Sequence, residues 1–265
     1  MAIRLIVMDL DGTLLTSEKN VSDYSKQVLG RAMKKGVAVT VATGRMLISA
    51  NYFGREIGAN APLICCNGAL VQALEEKEPL FERTFPPETT LELLELAHEH
   101  GWYVQWYIRE KIYAEDYRPE YFAAYRTVKG FSLQEVGHNF SAYAEGVAQV
   151  VMRDLEAGIG AISALVRERF AGRVEVQQNM GYTLDLTPAG VTKAVGVEAV
   201  MRRLGISPEE VMACGDSDND LAMLSLAGTS VVTANGQEEA KALASYLALS
   251  CDEDGVAKAI EELVL

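Results

Sequence analysis

Short apolar runs that each stop on a polar loop constrain this chain more than any other feature. Residues 3–8, apolar apart from Arg4, end on Asp9; residues 37–42 end at Thr43-Gly44-Arg45; residues 63–66 are closed by Asn67-Gly68. Runs this short, without polar alternation, suit strands buried on both faces of a parallel sheet. Helical stretches lie between them, one opened by Ser22 as a cap and stopped by Gly36, the next over residues 46–57. The same grammar returns late in the chain. A helix over 192–204 ends at Gly205, residues 211–214 form a strand ahead of Gly215-Asp216-Ser217-Asp218-Asn219-Asp220, and residues 229–233 form another. Repeated strand-loop-helix units predict an α/β fold with a doubly wound, mostly parallel, Rossmann-like sheet.

The middle of the chain departs from this rhythm. Pro86-Pro87 starts a helix that reaches His100, because a proline's missing N–H would be unpaired in the first turn anyway. Aromatic residues then crowd the sequence: Trp102, Tyr103, Trp106, Tyr107, Tyr113, Tyr117, Tyr121, Phe122 and Tyr125. Strands are predicted at 147–152, 174–178 and 182–186. We therefore expect residues 85–187 to form an inserted α+β domain, with 1–84 and 188–265 as the two segments of a core domain. Alternation places Trp102, Val104, Trp106 and Ile108 on one strand face, and Tyr103, Gln105, Tyr107 and Arg109 on the other. Either face could pack on the domain's helices. His98 and His100 are two apart, a spacing that shares no helix face, so both are expected as exposed side chains. His138, in a Gly-His-Asn turn, is assigned no role.

Composition narrows the partners. With 265 residues, 49% of them hydrophobic, the chain can bury a sizeable core. Its longest apolar stretches, such as residues 159–166, fall far short of the roughly 20 residues that cross a bilayer. The first residues lack the apolar region and cleavage site of a signal peptide. A soluble, cytoplasmic protein without a membrane partner is expected. The net charge of −13 opposes broad attraction to nucleic acid or anionic lipid, but a small anionic substrate needs only a local positive centre. Cys65, Cys66, Cys214 and Cys251 form no metal-like spacing and are expected to be reduced and structural.

The chemistry sits where strands run out. Asp9-Leu10-Asp11-Gly12-Thr13 puts two carboxylates at the carboxyl edge of the first strand, where open parallel sheets collect ligands. Asp, Gly and Thr are ordinary turn residues. Yet four specified residues, each at a usage of roughly 5 to 7%, recur by chance only a few times per thousand chains of this length. The string from Gly215 to Asp220 follows a buried strand in the same way. It looks like half an EF-hand loop but lacks the closing Glu. Together Asp9, Asp11, Asp216 and Asp220 crowd one sheet edge, and two carboxylates about 4 Å apart repel by roughly 4 kcal/mol at an effective dielectric near 20. Such a group needs a cation, and all-oxygen donors favour Mg2+ over zinc. One of Asp9 and Asp11 can then attack phosphorus while the other moves protons. Thr43 can hydrogen-bond a phosphoryl oxygen, and Lys193, opening a helix after Pro188-Ala189-Gly190, can neutralise the transferring group.

The order of these strings resembles the haloacid-dehalogenase-like phosphohydrolase superfamily, and the large insertion after the third strand is similar to that of its Cof-type branch. The resemblance covers the whole length. It implies that Asp9 is the nucleophile and a magnesium ligand, Asp11 the general acid/base and a ligand through its backbone carbonyl, and Asp216 a side-chain ligand. It also implies that Asp220, as a further ligand, and Asn219 complete the acidic loop. Thr43, with Gly44 beside it, and Lys193 would bind the phosphoryl group, and Asn67 and Arg45 would lie beside the pocket. The inserted domain would be a C2-type cap that selects the leaving group. The implied activity is that of a magnesium-dependent phosphoric monoester hydrolase acting on a small phosphorylated metabolite through an aspartyl-phosphate. A phosphotransferase or mutase of the same chemistry, and a receiver-like phospho-acceptor module, are the alternatives. Two positions depart from the family's pattern. Ala194 follows Lys193 where Gly is usual, and Thr233-Ala234-Asn235-Gly236 replaces Met-Gly-Asn-Ala, with Asn235 kept as a support residue.

Overall fold

A computed structural model of the protein describes residues 2–121, 132–154, 159–179 and 183–265. Phe122 and Tyr125 of the aromatic run, and Tyr182 at an expected strand start, lie outside the described residues. The chain begins with β1 (Leu5–Met8), α1 (Asp23–Lys34), β2 (Ala38–Val41), α2 (Leu47–Ile57), β3 (Leu63–Cys65), β4 (Leu70–Gln72) and β5 (Phe81–Glu82). Then come α3 (Pro87–Glu99), β6 (Tyr103–Ile108), β7 (Lys111–Ala114), β8 (Ser132–Glu135), β9 (Gln149–Arg153), α4 (Gly160–Arg169), β10 (Val174–Asn179) and β11 (Thr183–Pro188). The last stretch holds α5 (Lys193–Leu204), β12 (Val211–Gly215), α6 (Leu221–Leu226), β13 (Thr229–Thr233), α7 (Glu238–Lys241), β14 (Tyr246–Ala248) and α8 (Gly255–Leu263). The chain divides into two compact units: Met1–Arg45, Ala50–Phe81 and Thr192–Leu265 in one, Met46–Ser49 and Glu82–Val191 in the other.

The first unit is built on a parallel sheet in the order β14-β13-β12-β1-β2. Leu5 stands between Val211 and Ala38, so β1 is central and meets no solvent on either face. Leu5 and Val7 pack with Val197 and Val200 of α5 and with Met223 and Leu224 of α6. α1 and α8 pack against each other and against β2, β13 and β14. Burial on both faces is why these strands read as unbroken apolar runs. Ser22 caps α1 by accepting the Ser25 N–H, as its place before the helix suggested. Strand order runs outward to β2 on one side of β1 and through β12 to β14 on the other, so the topology switches between β1 and β12.

One strand behaves differently from expectation. β3 lies beside β2, with a parallel bridge between Ala42 and Ile64 and a Thr43 N–H bond to the Ile64 carbonyl at 2.9 Å, but its ladder pairs with β4 in a separate sheet ordered β3-β4-β5. Cys66 and Asn67, at φ 49° and 52°, turn the chain back on itself so that β4 returns antiparallel. β14 and α8 were not anticipated. β14 is three residues long on the sheet edge with Leu247 exposed, so it lacks the buried-strand signature.

The second unit carries a six-stranded sheet ordered β10-β11-β9-β6-β7-β8, antiparallel except for β7 with β8. Val104, Trp106, Val150, Met152, Leu184 and Leu186 form its core with Leu93 and Leu94 of α3 and Ile162 and Val166 of α4. The Trp106 side of β6 therefore faces the helices, and the Trp106 Nε1–H donates to the Tyr143 carbonyl at 3.0 Å. The register puts Gln105, Val151, Asp185 and Gln177 in one row on the opposite face, with Tyr107 and Gln149 beside it. Arg109 does not share that face: it sits past β6 at φ 52°, in the turn to β7. Gln149 Oε1 and Gln177 Oε1 are buried there without a hydrogen-bond partner among the described residues. All four cysteines are free and buried. Among the described residues, no helix is long and apolar enough to cross a membrane.

Candidate active site

β1 and β12 end side by side, Met8 opposite Cys214, so Asp9 and Asp216 leave the sheet next to each other at the switch point. Asp9 keeps a backbone bond to the Cys214 carbonyl at 2.9 Å, which holds its side chain at the sheet edge. Lys193, the first residue of α5, is wholly buried; its Nζ donates to Asp9 Oδ1 and to Asp220 Oδ1, both at 2.6 Å. Burial opposes the charge of this ammonium, but Asp220 and Asp9 prevail and raise its pKa.

Carboxylate oxygens of Asp9, Asp216 and Asp220 lie within 4.8 Å of one another. Burial lifts the Asp9 carboxyl well above the usual range; Lys193 opposes the shift, and Asp220, Asp216 and Asp11 add to it. Burial, with repulsion from Asp220, also pushes Asp216 up to about 6, against a hydrogen bond from Thr13 Oγ1 at 2.7 Å. Three carboxylates against one ammonium leave negative charge uncancelled, and an oxygen-only donor set of this kind fits Mg2+.

Local backbone chemistry shapes both acidic loops. Asp220 Oδ2 accepts the N–H groups of Asp216 and Ser217 at 2.9 and 3.1 Å, closing the loop so that Oδ1 faces Lys193. A Cβ on Gly215 would lie 2.6 Å from the Cβ of Asp220. Gly12 has φ +83°, and a Cβ there would meet Asp216 Oδ2 at 2.6 Å, so the glycine allows the first loop to approach the second.

Of the four acids singled out in the sequence, three bring their side chains together. Asp11 turns instead to Arg45, whose Nε and Nη2 donate to it at 2.6 and 2.7 Å, and to Lys19 Nζ at 2.9 Å. Burial alone would raise the Asp11 carboxyl, but these cations hold it at about 2. Thr43 is buried and its Oγ1 accepts the Arg45 N–H at 3.1 Å across the half-buried Gly44. Asn219 Nδ2 donates to Asn67 Oδ1 at 3.0 Å, tying the loop after β12 to the one after β3. Thr233 Oγ1 and Asn235 Nδ2 donate to the Gly12 carbonyl at 3.0 and 2.7 Å, bracing the first loop. Sequence reasoning missed Lys19 and the Thr13 contact. Lys19 lies in a polar stretch with no periodic signal, and Thr13 reads as a turn residue until Asp216 is placed beside it.

A parallel sheet with an all-carboxylate cluster at its switch point defines a Rossmann-like core with a site suited to a divalent cation. The chain belongs to the haloacid dehalogenase-like hydrolases, whose family profile matches residues 6–260. It is similar to the chloroplastic endoribonuclease YBEY of Arabidopsis thaliana, 30% identical over 96% of this chain, and spans only 45% of that relative's length. It is also similar to the 5-amino-6-(5-phospho-D-ribitylamino)uracil phosphatase YcsE of Bacillus subtilis, 28% identical over 99% of this chain and 96% of the relative. The crystal structure of a haloacid dehalogenase-like hydrolase from Bacteroides thetaiotaomicron matches with a TM-score of 0.87 at 30% identity, covering 98% of this chain and 99% of that one.

Proposed function

We propose that this protein is a magnesium-dependent phosphatase that hydrolyses a small phosphorylated metabolite through an aspartyl-phosphate on Asp9. The observation that carries this reading is the convergence of Asp9, Asp216 and Asp220 oxygens within 4.8 Å, with Lys193 Nζ 2.6 Å from Asp9. Bound by these carboxylates, magnesium would supply positive charge to the phosphoryl oxygens. An Asp9 oxygen bonds to phosphorus as the bond from phosphorus to the leaving oxygen breaks; Asp11, an anion while Arg45 and Lys19 hold it, turns from those cations and takes up a proton from solvent, which it gives to the leaving oxygen. Asp11 then takes a proton from water as the water oxygen bonds to phosphorus and the Asp9–phosphorus bond breaks, releasing phosphate. Lys193 orients Asp9, and Arg45 and Lys19 hold the Asp11 carboxylate until it takes up that proton. Thr43, Gly44, Asn67 and Asn219 complete the phosphate-binding set in this proposal.

Residues 85–187 take the part of the family's C2-type cap. In this unit the buried side-chain carbonyls of Gln149 and Gln177 have no hydrogen-bond partner among the described residues, and such acceptors would suit a hydroxyl-rich leaving group such as a sugar. A net charge of −13 suits a cytoplasmic enzyme that meets metabolites rather than nucleic acid or anionic membranes.

The test is phosphate release from an aryl phosphate and from a panel of phosphorylated metabolites, with magnesium and with chelator. Asp9→Asn should reduce turnover to background with an unchanged circular dichroism spectrum. Wild-type turnover in that variant would eliminate Asp9 as the nucleophile.

A further inference from the structure

The second unit holds a cluster with a different donor chemistry. His98, in the last turn of α3, places Nδ1 2.8 Å from Glu115 Oε1 and 3.1 Å from Oε2. Glu115 directly follows β7. His138, in the turn after β8, places its Nδ1 3.8 Å from the same Oε1. The two imidazoles stand 3.9 Å apart, centroid to centroid, and both meet the edge of Phe140. One ligand atom from each of the three residues falls within 4.8 Å of the other two.

A hydrogen bond accounts for His98 and Glu115 alone. It does not account for a second imidazole nitrogen converging on the same oxygen from a separate element. Four ligand atoms held tetrahedrally about 2.0 to 2.1 Å from zinc stand roughly 3.3 Å apart. The separations of 2.8 and 3.8 Å bracket that spacing. The His98, His138 and Glu115 side chains are 44%, 62% and 29% exposed, so a cation reaches them without opening the fold.

We infer that His98, Glu115 and His138 form a second metal site, selective for zinc or a divalent cation of its class. Two imidazoles and a carboxylate are a familiar zinc donor set, and nitrogen donors disfavour magnesium, so this site and the all-oxygen cluster sort their cations by ligand type. Three protein ligands leave one tetrahedral position for water. The ion would tie the end of α3 to the chain after β7 and after β8, stabilising the second unit because only the folded chain assembles the ligands.

Full-length protein saturated with magnesium, which occupies the acidic cluster, is titrated with zinc in a calorimeter, and with cobalt while visible absorption is followed. One equivalent of zinc is expected, together with intense tetrahedral cobalt bands and a higher melting temperature. His98→Ala and His138→Ala should each weaken zinc binding by about 10-fold or more, at least the loss typical of an outer-shell partner. Asp9→Asn should leave this equivalent in place. Zinc uptake that is absent under magnesium, or unchanged in the double histidine variant, overturns the site. Glu115→Gln, nearly isosteric, gives the same comparison if a histidine variant fails to fold.

Discussion

Lys193 is a buried ammonium bridging two carboxylates of the acidic cluster. A fully buried ammonium is costly alone, and here it is held by two carboxylates at 2.6 Å. Lys193→Met would leave Asp9 and Asp220 buried without their cation, and breaking a buried ion pair in this way costs about 3–5 kcal/mol. The urea midpoint should fall by that equivalent, and in our proposal magnesium should restore part of the loss by binding the same carboxylates. A midpoint unchanged in magnesium-free buffer would contradict the bridging role. Asp9, Asp216 and Asp220 were legible in the sequence because each follows a buried strand. Lys19 and Thr13 were not, because their partners, Asp11 and Asp216, are chosen by loop conformation.

At the scale of elements, Arg173 pairs with Glu92 of α3 in a two-pronged contact of 2.9 and 2.8 Å. The Arg173 hydrogen bonds lower the Glu92 carboxyl below its ordinary 4.5. A depressed carboxylate contributes stability that is complete above its unfolded value and is lost as the pH falls through the lower, folded one. Arg173→Met should therefore lose a little stability at neutral pH, the pair being solvent-screened, and should converge with the wild type in acid. Thermal melts of both proteins on either side of pH 4.5 check this. A gap that persists in acid would assign the effect to the Arg173 guanidinium over the Phe170 ring. In the first unit α6, α7 and α8 were not anticipated, but the boundaries of α1, α2 and α5 were readable to within a residue or two, as with Ser22 and α1, because caps and glycines are local signals. β3 was not, since whether a short apolar run joins the main sheet depends on the turn that follows it.

At the scale of the whole molecule, chemistry and selection are divided between the units in our proposal, and this makes a kinetic prediction. Gln177→Leu removes a buried carbonyl that has no partner among the described residues. It should raise KM for the preferred metabolite several-fold while kcat on an aryl phosphate stays close to wild type. Equal loss on both substrates would indicate a folding defect instead. The aromatic alternation of β6 was visible in the sequence, but the choice between its faces was not, because either could have met α3 and α4. His138 was passed over for a related reason: a turn histidine has no periodic context.

Features that depend on neighbours along the chain are written in the order of residues: buried strands, their caps and stops, and the acidic strings that follow them. Strand burial on both faces leaves a continuous apolar signature, and carboxyl ends in a parallel sheet share one edge, so the positions of Asp9 and Asp216 followed without coordinates. Which side chains meet across long separations is settled by the folded chain alone: Asp11 with Arg45 and Lys19 rather than with the other acids, and Glu115 with two histidines. Those pairings are set by loop paths and packing between distant elements, for which the order of residues leaves no periodic trace.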